Sequence, residues 1–248
     1  VANIKLIKPN QLYAGLPQGW WLKNYWEYVY PLILRAGRKE ELPAPGESQA
    51  GPVMYAVGKY ARAFAEPERL VKLHENTQTE RYEMTNTIHR GFVLPFVKFI
   101  ALESDGDGSS FAELRNVAQS LSLDSDVEIT FEVSGGSIID NGKEIEGEMH
   151  IDTKDAMEYY CESYPIDLPA PLYGQVGHTG NQTNRAISSS FMAIFEPQGE
   201  GTYRIDVTAS YLFRFRGKSK DYGPLDDHYE IVVAPPIEKT PGYRKRIT

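Results

Sequence analysis

The chain holds a single cysteine, Cys161, among 248 residues. No internal disulfide can form, and zinc or iron–sulfur sites built from several cysteines are excluded. No apolar run approaches the ~18 residues that a membrane-spanning helix requires. Basic residues are the minority, 26 Lys and Arg against 34 Asp and Glu, for a formal charge of -8. That balance speaks against nucleic acid as the main partner. Histidine is scarce, and the five present show no His-Glu-x-x-His or His-x-His spacing, so no zinc-enzyme signature stands out. A nucleophile elbow, a phosphate-binding glycine loop and a dinucleotide fingerprint are also missing. No basic segment followed by an apolar one opens the chain, so no signal-peptide pattern is visible.

What is present describes a folded protein: 41% hydrophobic and 24% charged residues in a chain of this length can bury a core without staples. Aromatics gather early, at Trp20, Trp21, Tyr25, Trp26, Tyr28 and Tyr30. Leu22, Tyr25, Trp26 and Val29 fall at i, i+3, i+4 and i+7, which predicts a helix from Trp20 that ends at Pro31. That spacing favours a helix face laid on the protein body; a sugar-stacking or docking platform is the alternative. The Pro- and Gly-rich stretch from Glu41 to Pro52 reads as a linker. It would divide an aromatic segment, residues 1–45, from a main domain, residues 46–248. Val53 to Phe64 carries apolar residues at helical spacing, and Pro67 is placed to open a second short helix beside Leu70, Val71 and Leu73. Pro95 inside the apolar run from Gly91 to Leu102 predicts an edge strand or two short pieces. Glu103, Asp105 and Asp107 alternate as in a calcium loop, but the closing position is Leu114. A solvated loop leading into a Ser110/Glu113 capping box and a helix to about Leu121 is the plainer reading. Cys161 reads as a small buried apolar side chain rather than a nucleophile.

From Val127 the period changes to two, with Val127, Ile129, Phe131 and Val133 alternating with polar residues. Asn141-Gly142 signals a hairpin turn, and Asp152 or Thr153 can cap a short helix to Tyr160. Ile187 to Phe195 and Tyr203 to Phe215 predict an antiparallel hairpin across Pro197 to Gly201. Gly217 to Leu225 reads as a loop leading to a last strand, Tyr229 to Val233. Helices first and strands later point to an α+β fold, with a mainly antiparallel sheet or open half-barrel in the C-terminal half.

Asp221, Asp226, Asp227, His228, Tyr229 and Glu230 fall close together ahead of the last strand. Strand alternation would set Asp227 and Tyr229 on one face, His228 and Glu230 on the other. Grouped carboxylates raise each other's pKa and can hold a hard cation such as magnesium, and a histidine beside them can move protons near neutral pH. A polar surface loop is the simpler account.

The stretch Tyr203 to Glu230, with Gly217 between its strands and Asp226-Asp227-His228-Tyr229-Glu230-Ile231 at its end, resembles the catalytic region of colicin M and related lipid II-degrading bacteriocins. Their box reads Asp-Asp-x-Tyr-Asp-Phe. The resemblance implies hydrolysis of a phosphoester bond in the undecaprenyl-linked peptidoglycan precursor. Asp227 would be the catalytic carboxylate, Tyr229 and Glu230 would support it, and Asp226 with Asp227 would hold a magnesium ion. It also implies an antibacterial toxin, exported or injected, that acts in the periplasm on a lipid-linked precursor and has an immunity protein as partner. His228, by position, is a further candidate for proton transfer. The family's His-Arg pair after the box has no counterpart in Val232 to Ile237. Two other classes stay open: a non-catalytic binding module for a glycan or protein, and an assembly protein of a phage or secretion machine.

Overall fold

The computed structural model describes residues 3–37, 39–44, 46–47, 49, 51–57, 60–62, 70–72, 79–85, 90–123, 126–134, 136–146, 148–169, 184–215 and 218–235. The chain begins with β1 (Ile4–Ile7), α1 (Gln18–Gly37), β2 (Val53–Tyr55), β3 (Tyr60–Arg62), β4 (Leu70–Lys72), β5 (Glu80–Thr85) and β6 (Gly91–Leu102). After a 3₁₀ turn at Glu103–Asp105 come α2 (Phe111–Leu123), β7 (Asp126–Ser134), β8 (Ile138–Asp140), β9 (Lys143–Ile145) and β10 (Glu148–Ile151). Next, α3 (Thr153–Ala156) runs into a second 3₁₀ turn, Met157–Tyr159. The last strands are β11 (Tyr160–Glu162), β12 (Ile166–Leu168), β13 (Asn184–Pro197), β14 (Gly201–Phe215) and β15 (Lys218–Ala234).

The fold is α+β, built on two open sheets. One has eight strands, ordered β2-β6-β13-β1-β8-β9, with β11 and β12 also paired to β13. The other has five, ordered β10-β7-β14-β15-β5. β7 shows why they pack: Val127, Ile129, Phe131 and Val133 are buried while Asp126, Glu128 and Glu132 face water, the half-buried alternation of a sheet with one wet face. Between the sheets Phe96 stacks on Phe131 at 5.5 Å, and Phe195 meets Phe131 edge-on at 5.4 Å. The opposite face of the larger sheet is covered by α1. Trp21, Leu22, Tyr25, Trp26, Val29 and Tyr30 pack there against Val93, Met192 and Ile194. Both buried indole N–H groups are satisfied, Trp26 donating to Ser188 Oγ at 2.7 Å and Trp21 to the Tyr13 carbonyl at 3.1 Å. The helix is therefore a core element, and Trp20 alone of the three tryptophans reaches solvent, at 39% exposure.

Several expectations need correction. α1 continues through Pro31 to Gly37. Leu32, Ile33 and Leu34 are buried beyond the proline, and that burial offsets the ~3 kcal/mol a helical proline costs. Val53–Tyr55 is a strand, not a helix, paired parallel with Gly91–Val93. All three of its residues are buried, and an apolar run buried on both faces carries no period of two. Leu70–Lys72 is likewise a strand, whereas Phe64, Pro67 and Leu73 lie outside the described residues. β6 is one strand of 12 residues inside its sheet. Pro95 is tolerated because β2 pairs only as far as Val93 and the ladder to β13 slips between Phe191 and Met192, a bulge that leaves Phe96 unpaired.

β13 and β14 do not form a hairpin. They belong to different sheets, and the turn between them carries the chain from one to the other. The hairpin is β14 with β15, and β15 already begins at Lys218. A register break pairs Ala209 with Leu225 and Tyr211 with Tyr222, so Gly223 and Pro224 are passed over without a ladder partner. Local signals held elsewhere. The Ser110 N–H donates to Glu113 Oε2 at 3.1 Å and the Glu113 N–H to Ser110 Oγ at 3.3 Å, a reciprocal cap. Asn141 and Gly142, at φ 48° and 77°, make the tight turn between β8 and β9. Asp152 caps α3 through the N–H groups of Lys154 and Asp155.

Candidate functional site

On β15 the acidic box is divided by strand alternation. Asp226, His228 and Glu230 lie on the outer face of the five-stranded sheet. Thr208 Oγ1 donates to Asp226 Oδ1 at 2.7 Å, and His228 Nδ1 lies 2.5 Å from Asp206 Oδ1. Glu230 is held by Arg81 at 3.0 Å and Arg204 at 3.3 Å. Asp227 and Tyr229 turn inward. Tyr229 is 2% exposed, its ring beside those of Phe92 and Tyr82. Burial first, then the Asp227 and Glu80 charges, hold its hydroxyl well above the ordinary phenol range. Because Asp226 and Asp227 project to opposite faces, the pair does not fit a shared magnesium ion. Among the described residues no group of three or more His, Cys, Asp or Glu is arranged to hold a metal.

Asp227 lies within electrostatic reach of Lys98 on β6, as does Glu80 on β5, two groups that sequence reasoning passed over. Glu80 is 1% exposed. Its Oε2 accepts from the Tyr82 hydroxyl at 2.6 Å, and that hydroxyl accepts from the Val57 N–H at 3.0 Å. The Lys98 ammonium lies 5.8 Å from the centre of the Tyr25 ring. Burial by itself would depress its pKa; the Tyr25 hydroxyl, Asp227 and Glu80 more than offset this, and it stays above its ordinary value. The cluster thus links α1 to both sheets. Lys98 had a signal, as the one charged residue in the apolar run of β6; Glu80 had none.

A separate, open cleft of about 800 Å³ lies at the N-terminal end of α1. Its walls come from the end of β1, the start of α1, the Met157–Tyr159 turn and β11 with the residues after it. Lys8 Nζ reaches Asp140 at 2.9 Å and Glu158 at 2.7 Å. Burial would lower the Lys8 pKa, but these two carboxylates hold it above the ordinary lysine value. Arg115 Nε sits 3.4 Å from Glu162 Oε2, and Glu162 Oε1 also accepts from Gln119 at 2.6 Å and Tyr160 at 3.0 Å. Gln18 is fully buried; its Nε2 donates to the carbonyls of Ile7 at 2.9 Å and Lys8 at 2.6 Å, while its Oε1 has no hydrogen-bond partner. Gly19 is required where it stands, since a Cβ there would run into the Glu162 carbonyl oxygen. The Tyr164 N–H donates to the Gly19 carbonyl at 3.2 Å, closing α1 onto this wall. Cys161 is 6% exposed, and burial, with Glu162 beside it, pushes its thiol up to about 12, which leaves it unreactive.

The rim is apolar. Of the six large hydrophobic side chains exposed among the described residues, Met157 and Tyr164 line this cleft. The Trp20 and Tyr164 rings meet edge-on at 6.2 Å. No protein-family model matches the chain, and no curated protein matches it. The functional reading therefore rests on geometry.

The calcium-like loop is occupied with structural work. Asp107 Oδ2 accepts from the Leu102 N–H at 3.1 Å, Glu103 forms a two-pronged pair with Arg185 at 2.9 and 2.5 Å, and Glu113 caps α2. Asp105 is raised to about 6, by burial first and then by the Asp107 charge.

Proposed function

We propose that the chain is a non-catalytic binding module whose ligand site is the cleft at the start of α1. The observation that carries this reading is the exposure of two large apolar side chains, Met157 and Tyr164, in the lining of that cleft. Apolar surface left uncovered beside a concave, polar-floored site is the common form of a ligand pocket. Its volume, about 800 Å³, lies in the range of ~300–1,000 Å³ found for such sites. Its ionisable groups are committed to ion pairs and its thiol is held protonated, which favours binding over acid–base or nucleophilic chemistry. The phosphoester-hydrolase reading finds less support. Tyr229 is enclosed in the core, Asp226 and Asp227 diverge, and Glu230 is held between two arginines.

The test is a ligand-observed NMR screen of saccharides, peptides and small organic molecules against the wild type, Tyr164→Ala and Met157→Ala. Ligands of any class whose binding is lost in both variants support the cleft. Binding that ignores both substitutions, or no binding at all, overturns it. Lysis of bacteria that export the chain, abolished by Asp227→Ala, would favour the hydrolase instead.

A further inference from the structure

We infer that the Gln49 side chain is a built-in plug on the free edge of the larger sheet, and that this edge pairs with the same edge of a second copy once the plug is withdrawn. The inference does not depend on the cleft. β2 ends the larger sheet, with β6 on one side and, among the described residues, no strand on the other. The Pro52 carbonyl accepts from the Gly91 N–H at 2.9 Å, and the Ala56 N–H donates to the Val93 carbonyl at 3.0 Å. Backbone groups alternate in direction along a strand, so Val53, Tyr55 and Val57 turn theirs outward. A bare edge of this kind is a template for another strand.

Each of these three residues is met by a side chain. The Tyr55 N–H donates to Gln49 Oε1 at 2.6 Å, and Gln49 Nε2 donates to the Tyr55 carbonyl at 3.1 Å. One carboxamide thus takes both groups that an antiparallel neighbour would engage. The Val57 N–H donates to the Tyr82 hydroxyl at 3.0 Å, and Arg90 donates to the Val53 carbonyl at 3.4 Å. Arg90 also donates to the Gln49 carbonyl at 3.1 Å, which ties the backbone of the plug to the strand that it covers.

Composition explains why β2 needs such a device. Sheet edges are commonly protected by charged side chains. The other three edge strands have them: Lys143 and Glu144 on β9, Glu148 on β10, Arg81 and Glu83 on β5. β2 is Val53-Met54-Tyr55, uncharged, and all three residues are buried. Two copies of it meeting antiparallel about a two-fold axis bring no like charges together. Among the described side chains that meet this edge, Gln49 alone fills both a donor's and an acceptor's place.

The test is sedimentation velocity of the full chain over a wide range of concentration, with hydrogen exchange read amide by amide, for the wild type, Gln49→Ala and Gln49→Glu. Gln49→Glu keeps an acceptor for the Tyr55 N–H and sets a charge on the edge, so it still blocks pairing; Gln49→Ala does neither. Gln49→Ala is expected to associate more than the wild type as concentration rises, and Gln49→Glu to match the wild type. At low concentration the Tyr55 amide should exchange about tenfold faster in Gln49→Ala, the effect of one lost hydrogen bond, while the Ala56 amide, which faces β6, is unchanged. Gln49→Ala no more associated than the wild type overturns the inference. Equal association of both variants also overturns it, because that traces the effect to a general loss of structure. Should Gln49→Ala fail to fold, Gln49→Met, which keeps the stem and lacks the amide, is judged by the same outcomes.

Discussion

Replacing Lys98 with methionine keeps most of the side chain's length and removes its charge. In the folded protein the ammonium lies beside the Tyr25 ring and within electrostatic reach of Asp227 and Glu80. Glu80 is 1% exposed, so water cannot replace the compensating charge it loses. Removing one partner of a buried charge cluster costs about 3–5 kcal/mol, and the added apolar burial returns about 1, which leaves a net loss of about 2–4 kcal/mol. In a chain of this size each kcal/mol lowers Tm by about 2–4 °C, so the expected fall is about 10 °C. Urea unfolding followed by circular dichroism at pH 7 would compare the wild type, Lys98→Met and the triple variant Lys98→Met/Glu80→Gln/Asp227→Asn. If the loss comes from carboxylates stranded without a counter-charge, neutralising both should restore at least half of it. A single variant within about 0.5 kcal/mol of wild type, or a triple no better than the single, would refute the electrostatic account.

Three further outcomes follow from named contacts. Gly19→Ala should destabilise by about 1–3 kcal/mol despite alanine's better helix propensity, because its Cβ meets the backbone oxygen of Glu162; a gain in urea midpoint would contradict this. Asp105, ordinarily near 3.8, is raised to about 6 in the fold, so the folded state binds the proton more tightly than the unfolded chain. Its contribution to stability therefore falls as pH rises from about 4 to about 6 and is level above that. Asp105→Asn should remove this trend, by an amount on the order of 1 kcal/mol because solvent screens the carboxyl, and parallel stability–pH curves for the two proteins would rule the effect out. Cys161, pushed up to about 12, should react with a thiol reagent at pH 8 at least about a hundredfold more slowly in the native than in the unfolded protein; equal rates would show that the thiol is not buried as described.

Elements with a complete local signature were legible in the sequence. β7 alternates strictly, α2 carries its reciprocal cap, and Asn141-Gly142 makes the turn its composition demands. Elements whose conformation is supplied by distant partners were not. Val53–Tyr55 is buried on both faces, which erases the period that marks a strand. The first half of β15 is polar and contains Gly223-Pro224, yet it extends because β14 offers a ladder on either side of that break. The α1 helix survives Pro31 because the residues beyond it find a core. The site divides in the same way. The inward and outward division of Asp227 and His228 follows from alternation alone. The charge cluster needs Lys98 and Glu80, brought in from strands of two different sheets. The cleft was invisible, since its walls come from separate segments and its exposed lining residues, Met157 and Tyr164, belong to none of the periodic patterns that produce a core.

The position of β1 has a consequence for how the protein is made. Ile4–Ile7 lies inside the larger sheet, antiparallel to Ile194–Pro197 and parallel to Ile138–Asp140. Its principal partner is synthesised 193 positions after it, counting from Ile4 to Pro197. At about 5–20 residues per second, a nascent chain would carry that apolar strand without its final neighbour for about 10–40 s. Pairings of such sequence separation form slowly, because loop closure precedes any return in contacts. The sheet must therefore close from a late strand onto an early one. Off-pathway species should be those in which β8 and β13 meet another strand, from the same chain or a neighbour, in the place that β1 fills in the native protein.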